Sequence, residues 1–217
     1  DGTVLDGDAY ATGSFMTGTL SHGSGLLRGF DTYSEALVGH SRVDLDSRWS
    51  VFRSELLLSI VSNKLSQRVD SSLVVSTARR WFYEQRDRRF CAMVHLYSTH
   101  TPYDPPAEFR EMYVDPDYDG PISAFYAEHR FAIQNRSYEA TDADVEQIKA
   151  LYYAGTTQAD SMIGEVLDEL ESLGALEDTL IVVTADHGES LGEQSVVTDW
   201  EHNWMFQTNL QVPLLVS

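Results

Sequence analysis

Apolar residues recur along this chain with two spacings. From Thr141 to Leu173, the residues Val145, Ile148, Leu151 and Tyr152, then Ala159, Ile163, Val166, Leu167 and Leu170, keep the three-to-four residue rhythm of one helix face. Thr141 is a good cap, and Asp142 and Asp144 fall in the first turn, where the helix dipole favours carboxylates. Gly174 supplies the stop, and Gly155 predicts a kink between two segments. The same rhythm predicts helices over Trp49 to Leu65, with Asp46 or Ser47 as cap, and over Ser71 to Arg86. A further helical stretch is expected around Ile122 to Asn135. Arg86, Arg88 and Arg89 collect where the second helix ends, which suits the negative end of its dipole and reads as a cap.

Between the helices lie apolar runs too short to be helical: Ala9 to Met16, Phe90 to Leu96, residues 179–185, and Gln211 to Val216. The run at 179–185 is rich in Val and Ile and reads as a strand buried on both faces, as in a parallel sheet. A helix followed by such a strand is the pattern of βαβ units. The expectation is therefore an α/β fold with a mainly parallel sheet flanked by helices. The 217 residues suit one large domain. The chain starts without Met and stops directly after an apolar run, so it reads as a fragment of a fold, truncated at both ends.

Composition narrows the partners. Thirty-four acidic residues against fifteen basic ones leave a net charge of -19, and only Lys64 and Lys149 are lysines. Nucleic acid is disfavoured, because phosphate binding needs a positive surface. The acid-rich, Lys-poor balance fits a protein of a salt-loving organism or simply an acidic soluble protein, and both readings stand. The single Cys91 excludes an internal disulfide framework and a Cys-rich zinc site, and its apolar run predicts a buried structural thiol. There is no apolar stretch of membrane-spanning length, and Asp1 to Asp8 lack the features of a signal peptide, so a cytoplasmic location is favoured. Arg28 and Asp31 are placed to pair across a turn.

The chemistry gathers at strand ends. The run at 179–185 stops in Asp186 and His187, followed by Gly188. Carboxyl ends of strands are where ligands sit in open α/β sheets, and an adjacent carboxylate and imidazole there are candidate metal ligands. The competing reading is a strand-end Asp that caps the next turn beside an incidental His. If strands 90–97 and 179–185 are neighbours, His100 hangs from a loop on the same edge. The long polar segment after Glu189 contains Glu193 and brings His202 as a third candidate, whereas His95 reads as a core histidine. Together these groups suit hydrolysis of a sulfate or phosphate ester. A divalent cation stabilises charge on the non-bridging oxygens, and a histidine protonates the leaving oxygen.

Several segments, in order, resemble the sulfatase family of the alkaline phosphatase superfamily. The run from Ile181 to Glu193, centred on Asp186-His187-Gly188-Glu189, is similar to the family's metal-binding strand end. Val94 to Pro106 is similar to its substrate-site loop, Arg28 to Tyr33 to its RGFDxY turn, Tyr152 to Gly164 to its long helix, and Val212 to Leu215 to the strand that follows. The resemblance implies that Asp186 and His187 hold a divalent metal, Ca²⁺ first and Mn²⁺ or Zn²⁺ as alternatives. It also implies that His100 contacts the sulfuryl group or leaving oxygen, and that His202 fills a second substrate-contacting place that can be Lys in other members. His187 stands where many members have Asn, and Thr99 where the family usually has Pro; the loop Ser195 to Trp200 departs from the common pattern. The family's Cys/Ser-x-Pro-x-Arg nucleophile motif, matured to formylglycine, has no match in these residues, since Cys91 is followed by Ala92-Met93-Val94. The early Asp pair of the metal site is missing as well. The implied function is hydrolysis of a small-molecule or carbohydrate sulfate ester, with the nucleophile upstream and this chain inactive alone. The alternatives are a phosphoryl or phosphonate hydrolase of the same superfamily, or a non-catalytic module that kept the fold.

Overall fold

The computed structural model describes residues 10–16, 29–35, 71–193, 200–202 and 205–217. Arg28, the helix expected over Trp49 to Leu65 and most of the loop Ser195 to Trp200 lie outside the described residues. The chain forms two compact units, Asp1–Ser98 with Ala159–Glu177, and Thr99–Gln158 with Asp178–Ser217.

In the first unit, strand β1 (Ala11–Met16) lies between β2 (Thr32–Glu35) and β3 (Phe90–Val94), and both run parallel to it. All six residues of β1 are buried. Helix α1 (Ser71–Gln85) buries Val74, Val75, Ala78, Trp81 and Phe82, a stripe at helical spacing. Trp81 packs on Phe15 with ring centroids 5.5 Å apart, and Phe82 on Phe90 at 5.2 Å. A β-carbon at Gly13 would come within 2.9 Å of both the Phe15 and Trp81 rings, so this close approach requires glycine. The parallel sheet with a packed helix is the α/β arrangement the sequence implies.

Local contacts settle smaller points in this unit. The Asp31 N–H donates to Thr12 Oγ1 at 2.8 Å, and that hydroxyl donates to Asp31 Oδ2 at 3.0 Å, which ties β1 to the start of β2. Arg86 donates to the Tyr83 carbonyl at 2.7 Å, so it does cap α1. Cys91 is exposed, contrary to the buried thiol expected. Side chains alternate along a strand, and Phe90 takes the face covered by α1, which turns Cys91 to the other face.

Helix α2 (Ala107–Arg110) and helix α3 (Ala127–Gln134) precede helix α4 (Asp142–Ser172). At 31 residues and roughly 46 Å, α4 continues through Gly155 as one helix, because one glycine weakens a helix without removing its hydrogen bonds. It stops at Gly174, whose φ is 66°, with the Ala175 N–H reaching back to the Leu170 carbonyl at 2.9 Å. Arg79 of α1 pairs with Glu165 and Glu169 on its C-terminal half, each at 3.2 Å.

The second unit is built around Tyr103, Ile122, Phe125, Ile148, Leu151, Leu191 and Trp200. Residues 122–126 are not helical as expected. Tyr103 and Phe125 instead exchange both backbone hydrogen bonds, at 2.8 and 3.0 Å, and α3 begins only at Ala127. Asp144, only 2% exposed, organises the start of α4. Its oxygens accept from Tyr118 and Tyr138 at 2.6 Å and from the Thr141 N–H and hydroxyl at 2.8 Å. Burial alone would raise this carboxyl, but the hydrogen bonds from Tyr118, Tyr138 and Thr141 outweigh it and hold it at about 2.

Because the folded value lies below the ordinary 3.8, the stabilisation is complete above about pH 4 and is lost as pH falls toward 2. Asp144→Asn is expected to lower stability to urea by roughly 2–3 kcal/mol at pH 7. The gap to wild type should narrow between pH 4 and pH 2.5, and a gap of unchanged size would contradict this account.

Strands β4 (Val182–Thr184), β5 (Ser190–Leu191), β6 (Trp200–Glu201) and β7 (Leu214–Val216), with the short helix α5 (Gln207–Leu210), complete this unit. The expectation of a parallel strand buried on both faces at 179–185 is corrected. β4 pairs antiparallel with β7, β3 pairs with β1, and Leu180 and Leu214 are 73% and 70% exposed. A Val/Ile run records that both faces of a strand are apolar, not which partner it takes or what covers it. Among the described residues, no helix is long and apolar enough to cross a membrane.

Candidate active site

After β4 the chain enters Asp186-His187-Gly188-Glu189 and then β5. Gly188 is pressed against α5: its N–H donates to the Asn209 carbonyl at 2.8 Å, and a β-carbon there would overlap the Thr208 carbonyl oxygen. β5 pairs antiparallel with β6, Ser190 opposite Glu201 and Leu191 opposite Trp200. Continued by one residue, this register sets Glu189 opposite His202. The two side chains meet there, with His202 Nδ1 donating to Glu189 Oε1 at 3.0 Å.

The His202 ring stands between two other imidazoles. Its centroid lies 4.0 Å from that of His187 and 5.0 Å from that of His100. The Nδ1–H of His187 donates to the Gly188 carbonyl at 2.8 Å, which leaves the lone pair of the neutral ring on Nε2. His100 is oriented the same way through the Thr101 carbonyl at 2.7 Å. Burial lowers the pKa of His100, and its imidazole neighbours add to this. His202 is raised, first by its hydrogen bond to Glu189. Asp186 is exposed; its Oδ1 accepts the His187 N–H at 3.1 Å and lies 3.9 Å from His187 Nε2.

A scaffold of polar contacts holds His202 in place. Glu201, just before it, has φ 65°, a left-handed backbone that a residue with a side chain adopts only when its surroundings fix it. Here Arg130 of α3 pairs with its carboxylate, and the Thr101 hydroxyl donates to it at 2.7 Å. Asn209 donates to the Glu201 carbonyl at 2.9 Å while accepting from the Ser190 hydroxyl at 2.9 Å. One buried amide thereby fastens the ends of β5 and β6 together.

The structure thus brings together the rings of His100, His187 and His202, with Asp186 at the rim of the cluster. Glu189, which the sequence offered only as the start of a polar segment, is a central member. Its two-residue spacing from His187 was the available signal, but its partner lies thirteen residues away across the β5–β6 ladder. Among the described residues, donor atoms of His187, Glu189 and His202 lie within 4.8 Å of one another. Asp186 and His187 offer a carboxylate oxygen and an imidazole nitrogen at 3.9 Å, a separation that two ligands of one cation can span.

Known proteins are similar to this chain in sequence and in fold. It is 25% identical over 143 residues to a choline-sulfatase of Rhizobium meliloti, covering 62% of this chain and 27% of that protein. It is 26% identical over 149 residues to an arylsulfatase of Clostridium perfringens, covering 62% and 29%. The fold is that of a phosphonate monoester hydrolase of Agrobacterium radiobacter, with a TM-score of 0.60 at 20% identity, over 95% of this chain and 50% of that one. The aligned part is less than a third of the length of either curated relative. The family model for sulfatases matches residues 8–217, nearly the whole sequence, and the chain belongs to the sulfatase family.

Proposed function

We propose that this chain forms the metal-binding and leaving-group side of a sulfuric ester hydrolase, within a single catalytic domain. The observation that carries the reading is the row of imidazoles His187, His202 and His100, beside Asp186, in a chain of this family. Sulfate ester hydrolysis needs positive charge on the non-bridging oxygens and a proton for the departing oxygen. A divalent cation at Asp186 and His187 supplies that charge when bound. Ca²⁺ follows from the family resemblance, whereas the His187 imidazole also suits Mn²⁺ or Zn²⁺.

His202, held by Glu189 through Nδ1–H, turns its other nitrogen to the ester and, as the imidazolium, delivers the proton on Nε2 to the departing oxygen. His100 shares the same side and contacts the sulfuryl group. The nucleophile, a formylglycine in the resemblance, is not among these 217 residues. A choline or aryl sulfate, or a sulfated sugar, is the proposed substrate class.

The test is a comparison of kcat/KM for 4-nitrophenyl sulfate and a phenyl phosphonate monoester, using the full-length protein. The expected result is at least a hundredfold preference for the sulfate, about 2.7 kcal/mol in the transition state. The reverse preference assigns a phosphonate hydrolase, which the fold likeness to the Agrobacterium radiobacter enzyme keeps in view. Turnover of neither would leave a module that retains the fold without the chemistry.

A further inference from the structure

We propose that Glu189 is a positioning residue that, backed by Tyr103, holds the Nδ1–H of the His202 ring, so that Nε2, which carries the second proton of the imidazolium, is the nitrogen oriented for proton delivery. This rests on the reading of His202 as the proton donor. The Glu189 side chain is 5% exposed, and both of its oxygens are engaged. Oε1 accepts from His202 Nδ1 at 3.0 Å, and Oε2 accepts from the Tyr103 hydroxyl at 3.0 Å. Tyr103 is itself immobilised in the core, 1% exposed and stacked on Phe125 with centroids 5.5 Å apart.

A carboxylate with one oxygen tied to a fixed phenol can rotate little, so the imidazole it accepts from is fixed in turn. With Nδ1–H held by the carboxylate, Nε2 is the nitrogen that carries the transferable proton in the imidazolium and holds the lone pair once it has been given up. The β5–β6 ladder fixes the other end of the contact, since Glu189 and His202 are its next opposed pair. The same carboxylate lies within reach of a cation shared with His187 and His202. Its two existing hydrogen bonds favour the positioning role, and the two roles predict different results.

The experiment uses Glu189→Gln, Tyr103→Phe and His202→Ala in the full-length protein. Glu189→Gln is expected to lower kcat for 4-nitrophenyl sulfate about a hundredfold with KM changed less than threefold, and to have less than a threefold effect in the His202→Ala background. Tyr103→Phe, which keeps the core volume, should lower kcat about fivefold to tenfold. In ¹⁵N-histidine NMR of the neutral ring, the His202 signal, assigned by its loss in His202→Ala, should shift from the Nδ1–H tautomer toward a mixture in Glu189→Gln. That spectrum requires no turnover, so it decides the proposal even if the sulfatase reading fails. An unchanged His202 signal, or equal losses of kcat in both backgrounds, would overturn it. A tenfold or greater loss of Mn²⁺ affinity in Glu189→Gln would also overturn it, by making Glu189 a ligand.

Discussion

Replacement of His202 by alanine is expected to reduce kcat for a sulfate ester by about 10²–10⁴-fold, the range spanned by a positioned proton donor. Three consequences coincide in this variant. On the proposed reading the leaving oxygen loses its donor; the Glu189 oxygen at 3.0 Å loses its partner, and the ring packed beside His187 and His100 disappears. The loss should fall mainly on kcat, because the contact strengthens as charge develops on the departing oxygen. A leaving group that needs no proton should recover much of the rate. Steady-state kinetics with aryl sulfates of graded leaving-group acidity measure this directly, and a uniform loss across the series would assign His202 to ground-state binding instead. His129→Ala is the control. That ring accepts the Tyr126 N–H at 3.1 Å at the start of α3, and its removal should change kcat less than threefold.

The second large effect is expected at Gly188. Alanine there would drive its β-carbon into the Thr208 carbonyl oxygen and to 3.1 Å from the Gln211 carbonyl oxygen. Both obstacles are backbone, so neither can rotate away. Relief requires α5 to shift and the Gly188–Asn209 hydrogen bond to break, together about 4 kcal/mol. His187 and Glu189 flank the substituted position, so activity should fall with stability. Urea unfolding of Gly188→Ala beside Gly164→Ala provides the contrast. A β-carbon at Gly164, inside α4, meets nothing within 4 Å, and that variant should gain up to about 1 kcal/mol. Equal stabilities would mean that α5 does not pack on Gly188 as described.

What could be read from the sequence divides along physical lines. Periodicity located α1 and α4 because their burial stripes are long, and Gly174 ended α4 because its left-handed backbone favours glycine. Parallel pairing around β1 followed from short apolar runs alternating with helices. Composition could not say which partner β4 takes, since an apolar run is the same in parallel and antiparallel ladders. The same gap hid the surroundings of Cys91, whose apolar neighbours say nothing about which face the helix covers. Histidines at strand ends announced themselves singly, and the structure gathers three of them. Glu189 did not, because its significance comes from a pairing register that joins it to a residue thirteen positions on. Asp144 looked like an ordinary first-turn carboxylate. Two tyrosines, at positions 118 and 138, make it a buried anchor.

The register of β5 and β6 bears on how this site can change over time. The opposition of Glu189 and His202 depends on the paired residues 190–191 and 200–201 and not on the number of residues connecting them. Residues inserted or deleted between 192 and 199 can therefore change the connection while Glu189 and His202 stay matched. A single residue gained or lost inside the ladder would instead turn one of the two side chains to the opposite face. Relatives that differ in substrate are thus expected to vary in the length of that connection and to hold the spacing from Asp186 to Leu191 constant.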